Sequence, residues 1–263
     1  MKSAREHRLA PRLLGAVAAA AVIAAGAWNA WNTRFFMNPD GLSYLDLGTL
    51  FWSGDWTAAL NAYWSPVYPL LLGLTLRIFS PSDAAQFPLV HAVNFLIYLF
   101  AAGSLGFLLA EVRRARVADH PQPDVIAPAV ALAAVVVFVH ASVLMIGLHQ
   151  VTPDLLLSAF IYLAAALQLR LRRVDNPTRT SLLLGLALGL GYLVKTILLP
   201  IALPCLAAAA LPLRDLRRRL LPAAAAFALL VLPFITAISL RYRIPTFGES
   251  GKYAIAFFVN RSV

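Results

Sequence analysis

Carboxylates accept protons and ammonium groups hold phosphate, and the sequence presents both residue types at a few conspicuous places. Asn38-Pro39-Asp40-Gly41 and Thr152-Pro153-Asp154 each read as a capping residue, a proline at the first helical position and an aspartate at the second. Each aspartate also has a plain role, as the favourable partner of a helix N-terminal dipole. Lys195 stands within LGYLVKTILLP, where an ammonium group at a bilayer centre costs about 2.5–3.5 kcal/mol even on the lenient insertion scale. It either works there or snorkels to the interface, where it meets a lipid phosphate.

His149 lies beside Gln150, five residues before Asp154, on the same side of the expected fold. His91 and His140 sit in apolar runs and read as helix–helix hydrogen bonders. The single cysteine, Cys205, has no partner in the chain, and no HxxxH, CxxC or paired-carboxylate spacing supports a tight metal site. No cofactor is assigned, and a divalent metal is left as an alternative that the spacing does not support. GxSxG, P-loop and dinucleotide fingerprints do not occur.

The elements that must position these residues are membrane helices. Of 263 residues, 60% are hydrophobic and only 13% charged, with a mean hydropathy of +0.75. An ordinary soluble domain carries about 25% charge and about 45–50% apolar residues, so a water-soluble globule is excluded. Disorder is excluded on the same grounds. The net charge of +10 would suggest nucleic acid in a soluble protein, but here the basic residues gather in breaks between apolar runs. Those breaks are Lys2, Arg5, Arg8 and Arg12; Arg113, Arg114 and Arg116; Arg170, Arg172, Arg173 and Arg179; and Arg214, Arg217, Arg218 and Arg219. All four groups are expected on the cytoplasmic side, in contact with membrane lipids, and no nucleic-acid partner is expected.

Apolar runs near 13–31, 85–110, 125–148, 154–169 and 220–240 are long enough to span. Residues 181–213 have arginines at both ends, so they are expected to form a hairpin of two short helices turning near Lys195–Pro200. The result is an all-α bundle of about seven crossings, N-terminus inside. The whole chain, 1–263, reads as one transmembrane module. Residues 32–84 form a long first extracytoplasmic loop, 148–153 a second outward turn, and 241–263 the start of a further outward segment. Within the first loop, 66–80 reads as a helix lying at the surface. All five tryptophans, Trp28, Trp31, Trp52, Trp56 and Trp64, fall between 28 and 64, as amphipathic juxtamembrane segments require. A signal peptide is the rival reading of residues 1–27, although the apolar run continues through Trp28 and Trp31 and favours an anchor.

Asn38-Pro39-Asp40-Gly41-Leu42-Ser43-Tyr44-Leu45-Asp46 followed by Tyr63-Trp64-Ser65-Pro66-Val67-Tyr68-Pro69-Leu70-Leu71 resembles the first outer loop of GT-C glycosyltransferases. The likeness is greatest to bacterial relatives of protein O-mannosyltransferases and lipid A aminoarabinose transferases. Thr152-Pro153-Asp154-Leu155-Leu156, Gly191-Tyr192-Leu193-Val194-Lys195 and Pro245-Thr246-Phe247-Gly248-Glu249-Ser250-Gly251-Lys252 are similar to later landmarks of that group, in the same order. The resemblance implies inverting transfer of a sugar from a polyprenyl-phosphate donor to a glycan, lipid or protein acceptor at the extracytoplasmic face of a bacterial inner membrane. It makes Asp40 the general base and Asp154 the second acid, and puts Lys195 at the donor phosphate, with Arg77 or His149 beside it. Relatives are commonly longer, so an amino-terminal portion of an enzyme is also consistent with it. The alternative reading is a non-catalytic polytopic protein that binds lipid or assists assembly. A transporter would need charged residues through the bilayer centre, and Lys195 is nearly alone there.

Overall fold

The computed structural model describes residues 2–119, 127–211 and 215–259. Arg214 lies outside the described residues, and so do the side chains of Lys2, Arg5, Arg8 and Arg12. The regular structure described is entirely helical. It begins with α1 (Lys2–Asn32), followed by α2 (Pro39–Ser53), the short α3 (Trp56–Ala59) and α4 (Val67–Phe79). The long α5 (Asp83–Asp119) and α6 (Ala127–His140) come next, and α6 runs on into a π-helical turn at Ala141–Met145. Then come α7 (Asp154–Leu171), α8 (Thr178–Val194), a 3-10 turn at Thr196–Leu198, α9 (Leu199–Ala209), α10 (Leu216–Tyr242) and α11 (Ser250–Phe258).

Among the described residues four helical stretches are long and apolar enough to cross a membrane: Asp83–Val117, Pro128–Met145, Asp154–Leu171 and Leu216–Tyr242. The expected run 181–213 divides into two helices, α8 and α9, each shorter than the four spanning stretches. The division falls at Lys195, whose backbone leaves the helix (φ −159°, ψ 123°) while its N–H still closes the last turn on the Gly191 carbonyl at 3.0 Å. Pro200 then occupies the first turn of α9, where its missing N–H costs nothing.

Side-chain pairings set the helix directions. Phe100 meets Phe160, and Glu111 reaches Arg173, so α5 and α7 run in parallel. Ser181 bonds to the Arg219 carbonyl and Tyr192 packs on Phe234, so α8 and α10 also run together, opposite to α7. Tyr98 donates to the Val22 carbonyl at 2.9 Å and sets α1 against α5. Interior packing of this kind, with interhelical hydrogen bonds, is what holds helices together where surrounding lipid is as apolar as the side chains. α7 is the central element, with 44% of its spanning window buried against 11% for α6. Large apolar side chains such as Leu144, Leu229 and Leu240 point outward.

The bundle therefore has two chemically distinct ends. Glu111, Arg114, Arg173 and Arg219 meet at one, here the arginine end. Asp40, Asp154, Lys195 and Glu249 stand at the other, the carboxylate end.

The α2–α4 pair is parallel and unusually close. A Cβ at Gly48 would lie 2.6 Å from the Pro69 carbonyl oxygen, and Gly73 faces Gly48 across the same contact. Within the stretch 66–80, Val67–Phe79 form a helix packed on α2. Trp28, Trp31 and Trp56 are exposed as expected, but Trp64 turns inward onto Tyr44.

Candidate functional site

Three chain segments converge at the carboxylate end. Asn38 precedes α2, with Pro39 at the first helical position, as the sequence pattern predicts. Its side chain, however, does not cap its own helix. Asn38 Oδ1 accepts a hydrogen bond from the Val151 N–H at 2.8 Å, across 113 residues, and both groups are buried. The first turn of α2 consequently sits against the stretch that leads into α7. That helix opens one residue later than the pattern predicts, with Asp154 as its first residue and Pro153 as the preceding one.

The Asp154 carboxylate sits where the α7 dipole favours negative charge. Its Oδ1 accepts a bond from Lys195 Nζ at 2.6 Å, and the two side chains remain 35% and 38% exposed. Lys195 can reach it because the helix breaks at that residue. Asp40 is exposed in the first turn of α2, and its carboxylate has no hydrogen bond or ion pair among the described residues.

Tyr44 lies between these groups. Burial is the main cause that pushes its hydroxyl well above the ordinary phenol range, and the charges of Asp154 and Asp40 add to it. Its ring stands edge-on to Trp64 at 4.6 Å and to Tyr68 at 5.0 Å. Burial likewise raises the Tyr68 hydroxyl, against the bond it donates to Asn94 Oδ1 at 2.7 Å. Asn94 Nδ2 in turn donates to the Gln150 carbonyl at 3.2 Å.

His149 lies in the stretch leading into α7. Its ring packs edge-on to Phe36 at 5.3 Å and its Nε2 lies 3.0 Å from Gln150 Nε2, and it makes no hydrogen bond to Asp154 or Lys195 among the described residues. Arg77 stands apart. Parallel packing puts the last turn of α4 beside the last turn of α2, where Arg77 Nη1 donates to the Trp52 carbonyl at 2.8 Å. Twelve residues separate Trp52 from Asp40, about 18 Å along the helix.

The segment after α10 closes one side of the site. The Glu249 N–H donates to the Ala62 carbonyl at 2.7 Å, Thr196 Oγ1 lies 3.1 Å from Ser250 Oγ, and Tyr192 donates to the Phe247 carbonyl at 2.7 Å. Gly248, at φ 118°, makes the turn that presses against Thr196, a conformation that disfavours any side chain. Bonds from Lys252 and Thr246 hold the Glu249 carboxyl below its ordinary range. Tyr44 and Tyr68 lie within the resemblance-bearing stretches of the first loop but are not singled out there, and Asn94 and Thr196 carry no sequence signal, since their partners are remote in the chain. Among the described residues no three His, Cys, Asp or Glu side chains gather to hold a metal ion.

Fold and site together define a helical membrane protein with acidic and basic side chains gathered at one end of its bundle. No protein-family model, curated protein or solved structure matches the chain.

Proposed function

We propose that the chain is a GT-C-type membrane glycosyltransferase module that moves a sugar from a polyprenyl-phosphate donor to an acceptor at the carboxylate end. In this reading about seven helices cross the membrane, α2 to α4 lie at its surface, and the carboxylate end faces out of a bacterial cytoplasm. The observation that carries the reading is the Asp154–Lys195 ion pair set beside the first turn of α2 by the Asn38–Val151 bond.

The chemistry asks for one proton acceptor and one stabiliser of a departing phosphate. Asp40 takes the proton of the acceptor hydroxyl as its oxygen bonds to the anomeric carbon. The bond from that carbon to the phosphate oxygen breaks, its electron pair leaves with the phosphate, and the configuration inverts. Lys195 faces the growing negative charge, where a prearranged cation is most effective. Asp154 holds the ammonium in place before the donor arrives. Tyr44 and Tyr68 stay protonated and wall the site.

The test is transfer from a polyprenyl-phosphate-linked sugar by the purified full chain. Asp40→Asn is expected to slow it about 10²–10⁴-fold, the usual contribution of a general base. Equal rates for wild type and variant remove Asp40 from this role, and no transfer by wild type under any donor favours the non-catalytic alternative.

A further inference from the structure

Arg219 is the only cation that is buried among the described residues, 8% exposed, in the first turns of α10 at the arginine end. Three helices fix its position. Its Nη1 donates to the Leu171 carbonyl of α7 at 2.6 Å. Its own carbonyl accepts from Ser181 of α8, whose hydroxyl oxygen also accepts from the Ala223 N–H at 3.1 Å.

The guanidinium is nevertheless incompletely satisfied. Its Nε–H is buried without a partner, and no carboxylate among the described residues pairs with it. Glu111, the buried carboxylate of this end, is already taken by Arg114 and Arg173. A buried charge is costly unless it is both paired and hydrogen-bonded. The α7 C-terminal dipole, equivalent to roughly half a charge at Leu171, offsets only part of that cost.

What would complete the site is an anion. Arg172, Arg217 and Arg218 are exposed close by in the chain and disfavour a cation, while the planar guanidinium fork matches phosphate oxygens. At the end of a membrane bundle, phosphate comes most readily from a lipid headgroup. We infer that the junction of α7, α8 and α10 binds the phosphodiester of an anionic phospholipid, with Arg219 as the residue that recognises it. This site lies at the opposite end from Lys195 and stands independently of the proposed sugar transfer.

Hydrogen exchange of the full chain in nanodiscs tests it, read at residues 167–173 and 216–223. One preparation contains phosphatidylcholine alone, a second adds phosphatidylglycerol, and a third is phosphatidylcholine with inorganic phosphate in solution. Phosphatidylglycerol is expected to slow exchange there roughly tenfold, about the effect of one charge-assisted contact. Arg219→Gln should abolish the slowing and Arg218→Gln should keep it. Because Arg219 also ties α10 to α7, Arg219→Lys is the second variant: it retains a donor and loses the fork, so the slowing should shrink. No slowing in wild type, equal slowing by inorganic phosphate, or undiminished slowing in both Arg219 variants overturns the assignment.

Discussion

Lys195 Nζ stands 2.6 Å from Asp154 Oδ1, although 41 residues separate them, because α8 breaks at the lysine and α7 begins at the aspartate. The pair joins two helix ends while leaving about a third of each side chain open. An ammonium so held is paired yet reachable, and in the proposed reading an incoming phosphate competes with Asp154 for it.

That openness sets the first expectation. Exposed ion pairs contribute roughly 0.2–1 kcal/mol, so Lys195→Ala and Asp154→Ala should each change thermal stability by no more than about 1 kcal/mol. In the proposed reading, binding of a polyprenyl-phosphate-linked sugar should instead collapse in Lys195→Ala. A double-mutant cycle on both readouts checks this, and a loss of fold larger than the loss of binding would turn the pair into a structural strut.

Asn38→Ala removes the acceptor for the buried Val151 N–H. Leaving a buried donor unpaired costs about 1–3 kcal/mol, and here the loss would also release α2 from the stretch leading to Asp154. Thermal unfolding should report the cost. Hydrogen exchange at Val151 should rise more than at the core of α7, since the broken bond is local.

How far such links can be read from sequence depends on their reach. The breaks around Asp40, Asp154 and Lys195 were legible because proline, a capping residue or a lone charge acts within a few residues of itself. The gathering of Arg114, Arg173 and Arg219 at one end was legible from the arginine clusters between apolar runs, whereas Arg34, Arg77, Arg241 and Arg243 lie away from it. Asn38 shows where this stops: its type predicts a local cap, and only the tertiary fold turns it toward Val151. The place of Arg77 beside Trp52 was likewise not legible, because the parallel register of α2 and α4 rests on a glycine contact between remote positions.

Glu249 provides a pH dependence with a definite sign. Its folded value lies below the ordinary 4.5, chiefly through bonds from Lys252 and Thr246. The docking of 246–252 is thus fully supported above pH 4.5. That support fades as pH falls from there through the lowered native value. Hydrogen exchange of this segment, corrected for intrinsic rate, should show protection lost in acid. Glu249→Gln should remove the acid dependence, and a pH-independent wild type would show that Ala62 and Tyr192 alone hold the turn.

The last expectation concerns the two ends. If the carboxylate end faces out, a cysteine at position 40 in a Cys205→Ser background should react with a membrane-impermeant maleimide applied to intact cells. A cysteine at position 218 should react only after the membrane is opened. Asp40 and Arg218 are both exposed, so burial does not account for a difference between them. Arginine-rich loops are retained on the cytoplasmic side because moving their charges across the membrane is costly, and the same bias sets the remaining helices. Reaction at 218 with none at 40 would reverse the orientation, and with it the leaflet from which any lipid-linked donor could reach Lys195.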